Sequence, residues 1–269
     1  MSALLAQRAV PRETTLWEWF TDPATWSGSG GIVVSLGDTV LLCVAVILTS
    51  TLLSVPSAAY LAHRRLAQVS SAWLVNMGRA LPTFAVAALL VPISLRGGYG
   101  FEPWPIFIAL TLLTVPPMFL STYVAVKEVD QAAVDAARAM GFTERSVLLS
   151  VELPLASTVI FTGLRVASVQ VVATEPIRAF LGGDGLGRYI RDGLGQNNAT
   201  LTIGGTILIA ALAGLTGIVF SATERVVKPF GVRRLRTDRG PRPGESDEAD
   251  LMEVPEPGGG DHAAAGRVR

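Results

Sequence analysis

Long apolar runs bounded by charged or aromatic residues alternate with shorter polar segments along the chain. Five of these runs approach or exceed the ~20 residues a helix needs to cross ~30 Å of hydrocarbon: Ile32–Ala62, Trp73–Leu95, Trp104–Val126, Leu155–Phe180 and Leu201–Val227. In lipid a helix satisfies its own backbone hydrogen bonds. The pattern therefore predicts an all-α integral membrane protein with about five transmembrane helices. Between the third and fourth runs the pattern changes. Val129, Ala132, Ala133, Ala136, Ala137 and Met140 recur at helical spacing and mark a short amphipathic helix. Asp130 is placed to cap its start, and Gly141 stands where a helix end favours a left-handed residue. Thr143 caps a second helix over Glu144 to Ser150, and Pro154 is expected to break it. The segment 128–154 thus reads as helix, tight turn and helix lying beside the membrane.

Composition sharpens this picture only slightly. Half the residues are apolar and 16% are charged, with a mean hydropathy of +0.46. The formal net charge of zero matters less than which side carries the basic residues. With five spans, His63 to Arg65, Lys127 through Arg145, and the group Arg225, Lys228, Arg233, Arg234 and Arg236 all fall on one side. That side is expected to be cytoplasmic, with the N-terminus outside and the C-terminus inside a multi-pass cell-membrane protein. Arg188 and Arg191 are exceptions, offset by Asp184 and Asp192. The single cysteine, Cys43, lies in an apolar run and excludes an intrachain disulfide.

Three stretches follow: an external or interfacial segment 1–31, a membrane domain 32–230, and a tail 231–269. The first carries Arg8, Arg12, Glu13, Glu18 and Asp22 and lacks the apolar core of a secretory signal. Its Trp17, Trp19, Phe20 and Trp26 suit the headgroup level, the alternative being an aromatic cage for a cation. The tail is rich in Arg, Pro, Gly, Asp and Glu, a composition expected to stay disordered because it cannot bury a core. Pro56, Pro82, Pro92, Pro116, Pro117 and Pro176 are expected to interrupt the membrane helices and free backbone groups for partners.

Candidate chemistry is sparse. Arg165 and Glu175 lie within the fourth span, where charge is costly and faces the bundle interior or water. They stand about 15 Å apart along the helix and are candidates for a translocation path, with pairing of Glu175 to Arg178 as the structural alternative. The only histidines, His63 and His262, lie in no ligand-spaced motif, so neither a catalytic centre nor a metal site is expected. The glycines of Leu181-Gly182-Gly183-Asp184-Gly185-Leu186-Gly187 are followed by no Lys-Ser or Lys-Thr, which excludes a phosphate loop. They read as an external turn.

The run Asp135-Ala136-Ala137, three residues, Gly141, nine residues, Val151, one residue, Leu153-Pro154 resembles the cytoplasmic coupling loop of ABC-importer permeases, with Asp135 for the usual Glu and Val151 for the usual Ile. The resemblance implies a type I ABC-importer permease fold whose loop docks on a nucleotide-binding ATPase. Asp135, Ala136, Ala137, Gly141, Phe142, Thr143, Val151, Leu153 and Pro154 would be its coupling residues. It also implies a second permease copy or paralogue and an extracytoplasmic substrate-binding protein, with ATP and Mg bound by the ATPase and no cofactor in this chain. Nucleic acid is not an expected partner.

Gly163-Leu164-Arg165, the Gly-rich turn before a last span, and Arg79-Ala80-Leu81-Pro82-Thr83 are similar to the osmoprotectant branch, which serves glycine betaine, choline or carnitine uptake. The resemblance covers Asp38 to Lys228. Thr174-Glu175-Pro176 departs from it, standing where that branch carries small uncharged residues. A permease for another small solute such as methionine is the rival within the family. A channel or secondary transporter is the rival outside it, but neither requires the coupling loop, and an odd number of spans yields no inverted repeat.

Overall fold

Small residues let the apolar runs pack closely as helices in the computed structural model, which describes residues 15–28, 30–66, 82–101 and 103–227. The long helices are α3 (Ile32–His63), α5 (Trp104–Lys127), α8 (Leu153–Thr174) and α11 (Ala199–Val227), with a shorter apolar α4 (Thr83–Arg96). Among the described residues no strand occurs. Helix α3 lies along α5, α5 against α8, and α8 against α11, while α4 leans on α5. The packing face of α3 carries Ser35, Thr39, Cys43, Ser50, Ser54, Ala58, Ala59 and Ala62, the small side chains through which membrane helices approach closely. Its opposite face exposes Leu41, Leu48 and Leu52. Such an unbroken apolar exterior suits lipid and not water.

Of the expected spans, Trp73–Leu95 starts in residues that lie outside those described; its described part is α4. The tail 231–269 and the start of the chain up to residue 14 also lie outside them. Four of the six prolines do not interrupt the helices as expected; Pro176 does, standing just past the end of α8 at Thr174 and inside the expected span Leu155–Phe180. α3 runs through Pro56, α4 through Pro92, and α5 through Pro116 and Pro117. Across the α3–α5 contact the Ser54 hydroxyl donates to the Val115 carbonyl at 3.2 Å, beside the paired prolines. Pro82 and Pro176 instead stand just before α4 and the one-turn helix α9 (Ile177–Phe180), where a proline's missing N–H costs nothing.

At one end of the bundle the short helix α1 (Leu16–Thr21) rests beside α10 (Gly187–Gly195) and α11, and α2 (Pro23–Trp26) lies against α3. Thr15 and Glu18 cap α1 reciprocally. Trp19 meets the Tyr189 ring edge-on at 5.6 Å, and Arg188 already lies over that ring at 5.5 Å. Trp17 remains 78% exposed. Trp19 also meets Phe20 edge-on at 4.9 Å, and Trp26 Nε1 donates to the Phe20 carbonyl at 2.8 Å.

The other end carries a hairpin. Helix α6 (Gln131–Ala139) and α7 (Glu144–Val147) fold back under α3 and α5, and Val134, Ala137 and Val147 join Ala59, Ala62, Tyr123 and Val126 in one core. The expected break at Pro154 does not occur. A single π-turn, Leu148–Glu152, leads directly into α8, with the Leu153 N–H donating to the Leu148 carbonyl. Pro154 falls within the first turn of α8, where its lack of an N–H is absorbed by the wider register.

Candidate functional site

The hairpin is shaped by local chemistry. Asp130 Oδ1 accepts from the Ala132 N–H at 2.9 Å and starts α6. Gly141 ends it with φ +86°; its N–H donates to the Arg138 carbonyl and the Phe142 N–H to the Ala137 carbonyl, the paired bonds of a Schellman end. Thr143 Oγ1 then accepts from the Ser146 N–H and starts α7.

The expected small-residue stripe is corrected in register. Val129, Val134 and Ala137 are buried and Ala133 is half-buried, whereas Ala132, Ala136 and Met140 face outward. Alanine is small enough for either face, so the bulkier valines decide which side enters the core. The outward surface gathers Asp135, Ala136, Gly141, Phe142 and Thr143, with Met140 71% exposed. Val151, Leu153 and Pro154 are half-buried where the π-turn meets α8.

A polar chain ties this surface to the bundle. Arg138 contacts Asp135 Oδ1 at 3.3 Å and donates through Nε and Nη2 to both oxygens of Glu144, at 3.0 and 3.1 Å. The hydrogen-bonded Glu144 carboxylate raises the Arg138 guanidinium above its already high ordinary value. Glu144 Oε2 also lies 3.1 Å from His63 Nε2, and the opposite ring nitrogen, Nδ1, lies 2.7 Å from Glu152 Oε2. The sequence pattern had offered no role for Arg138, Glu144 or Glu152, and treated His63 only as part of a basic flank. Residues 144 and 152 sit about 80° apart around an α-helix. The one extra residue of the π-turn brings them to nearly the same face, a register that residue types alone do not reveal.

Arg165 and Glu175 are not brought together. Arg165 Nη1 donates to Ser221 Oγ at 2.9 Å and lies 4.0 Å from Glu224. It lines an open groove of about 630 Å³ between α8 and α11 with Val166, Val169, Gly217, Ile218 and Arg225. Glu175 is fully buried at the other end of the bundle. Its Oε1 is 3.5 Å from Arg178 Nη1, and its Oε2 accepts from the Thr39 hydroxyl at 3.2 Å. Thr39 in turn accepts from the Leu186 N–H at 2.9 Å, so Glu175 braces the Gly-rich turn against α3. A Cβ on Gly185 would stand 2.8 Å from Thr39 Oγ1 and 2.9 Å from Glu175 Oε1, at a φ of +106°. Gly185→Ala is therefore expected to lose about 2–4 kcal/mol, combining left-handed strain with overpacking. Gly98→Ala has the strain, at φ +77°, and open space. It should lose about 1–2 kcal/mol. Unfolding in mixed micelles would rank the two; equal losses would contradict the brace.

Among the described residues no three His, Cys, Asp or Glu side chains gather as metal ligands.

Comparison with known proteins follows the same lines. The family model described as "binding-protein-dependent transport system inner membrane component" matches residues 50–230. The chain is 32% identical over 190 residues to the choline transport system permease protein OpuBD of Bacillus subtilis (strain 168), covering 70% of this chain and 81% of that one. It is 26% identical over 210 residues to the choline transport system permease protein OpuBB of the same organism, covering 78% and 94%. A chain from inward facing conformations of the MetNI methionine ABC transporter superposes with a TM-score of 0.63 at 19% identity, covering 74% of this chain and 96% of that one. The all-α architecture is thus that of type I ABC-importer permeases, and this chain belongs to the family of binding-protein-dependent transport system inner membrane components.

Proposed function

We propose that this chain forms the membrane pathway of an ATP-driven importer for quaternary-ammonium osmoprotectants such as glycine betaine, choline or carnitine. The observation that carries the reading is the hairpin, whose outward face of Asp135, Ala136, Met140 and Phe142 stands free while its inner face is locked into the bundle. The substrate class is supported by the choline permeases above and by a 26% identical glycine betaine/carnitine/choline permease, OpuCB of Bacillus subtilis (strain 168).

In this reading the hairpin lies in the cytoplasm and docks on a nucleotide-binding subunit that holds ATP and Mg. Closure of two such subunits moves the hairpins and rocks two permease copies between inward and outward access. An extracytoplasmic binding protein delivers the solute, and its affinity sets most of the selectivity. Arg165, beside the open groove between α8 and α11, is the more exposed of the two path candidates. Glu175 acts from within the wall, holding the outer turn, and meets solute only if that turn opens.

The test is uptake of labelled glycine betaine in cells lacking their own uptake systems and expressing this chain with its ATPase and binding protein. The expected result is ATP-dependent uptake that choline and carnitine compete away and methionine does not. Competition by methionine alone would overturn the substrate class, and uptake indifferent to the ATPase would overturn the importer reading.

A further inference from the structure

Buried between the hairpin and the first membrane helix is a histidine contacted on both sides. His63 closes α3 with its side chain 5% exposed, and the Glu152 side chain is 6% exposed. Each ring nitrogen faces a carboxylate oxygen, Nδ1 toward Glu152 at 2.7 Å and Nε2 toward Glu144 at 3.1 Å. A neutral imidazole has one N–H and one bare nitrogen, which would be turned against the lone pairs of a carboxylate. A carboxyl that keeps its proton would satisfy that nitrogen, so in either form the ring is bonded on both sides. The same Glu144 receives both arms of Arg138 from α6, and Arg64 adds a second positive charge near it. From α5, Tyr123 donates its hydroxyl to the Leu66 carbonyl at 2.8 Å, holding the chain just after His63. The contacts run without a gap from Asp135 on the outward face, through Arg138 and Glu144, to His63 on α3 and Glu152 at the root of α8.

We propose that His63, held between the side chains of Glu144 and Glu152, is a positioning residue that pins the hairpin to the first membrane helix and carries hairpin movement into it. This rests on the coupling function proposed above. Apolar contacts alone permit the hairpin to slide over Ala59 and Ala62; two charge-assisted bonds to one side chain fix its distance and angle.

The test uses the whole transporter, with its ATPase and binding protein, in proteoliposomes, measuring solute uptake and ATP hydrolysis on the same vesicles. His63→Gln, whose amide donates through a single nitrogen, should keep ATP hydrolysis while uptake per ATP falls about tenfold, the scale of one lost charge-assisted bond. His63→Lys supplies several donors to the two carboxyl groups and should return that ratio to within about twofold of wild type. That rescue, by a side chain of different shape, is one that a purely packing role would not produce. Because the chain has two histidines, His262→Gln leaves a single labelled ring for ¹⁵N NMR in lipid, where both nitrogens should report a hydrogen bond.

A ring nitrogen without a hydrogen bond in that spectrum would overturn the proposal, and so would a His63→Lys protein that assembles yet stays uncoupled. Gly141→Trp separates the two levels of the argument. If it uncouples and His63→Gln does not, the pin is wrong and the coupling surface stands; if neither uncouples, the coupling function fails and the pin with it.

Discussion

Replacing Gly141 with tryptophan is expected to abolish ATP-driven uptake while the membrane bundle stays folded. Gly141 ends α6 at φ +86°, and a Cβ there would meet no atom of this chain within 4 Å. The strain of a left-handed side chain is local, about 1–2 kcal/mol, at an exposed turn that takes no part in the core entered by Val134, Ala137 and Val147. The indole would instead project from the outward face beside Met140 and Phe142, the face proposed above to dock an ATPase. Gly141→Ala has the strain without the bulk and is expected to keep most uptake. Comparing the two by uptake and by ATP hydrolysis separates strain from occlusion. Equal activity of the tryptophan variant and wild type would mean that this face docks nothing.

The second large effect lies at the opposite end. Glu175→Gln removes the charge opposite Arg178, leaving a guanidinium that is 13% exposed beside an amide. Breaking a buried pair from one side costs about 3–5 kcal/mol, because the surviving charge stays buried without its partner. Arg178→Gln should cost a similar amount. Replacing both should cost clearly less than the sum of the two, so a double-mutant cycle on unfolding in mixed micelles should show strong coupling. Additive losses would show that the contact at 3.5 Å is incidental. A Glu175→Gln protein of unchanged stability that no longer transports would move Glu175 from the wall of the pathway to the solute itself.

Much of this architecture was legible because each feature has one cause. Unbroken apolar runs announce spanning helices, and the hairpin's ends were readable because Asp130, Gly141 and Thr143 each do a single job: one carboxylate accepting an N–H, one residue free to adopt positive φ, one hydroxyl cap. Where residue types were compatible with two arrangements, the pattern misled. Alanine accepts either helix face, so the buried stripe came out shifted toward Val134. Proline stops a helix in its interior and is welcome in its first turn, so Pro154 marked a change of register and not an end. Pro56, Pro92, Pro116 and Pro117 ride inside helices that lipid-facing neighbours keep intact. The candidate site was half-readable in the same sense. Glu175 and Arg178 are one turn apart and could be paired on paper, but Thr39 is 136 residues away in sequence. His63, Glu144 and Glu152 come from α3, α7 and the π-turn, and no local spacing links them.

The central claim is that the hairpin is the contact through which an ATPase drives this bundle. Site-directed crosslinking addresses it most directly. Cys43 is the only cysteine and is buried, so Cys43→Ser provides a background in which Ala136→Cys or Met140→Cys labels the outward face and Leu48→Cys labels a lipid-facing position of α3. With the ATPase subunit co-expressed, the first two are expected to crosslink to it, in a yield that changes when ATP is bound, and the third is expected not to. Crosslinks absent from both hairpin positions in an assembled, transporting complex would contradict the account.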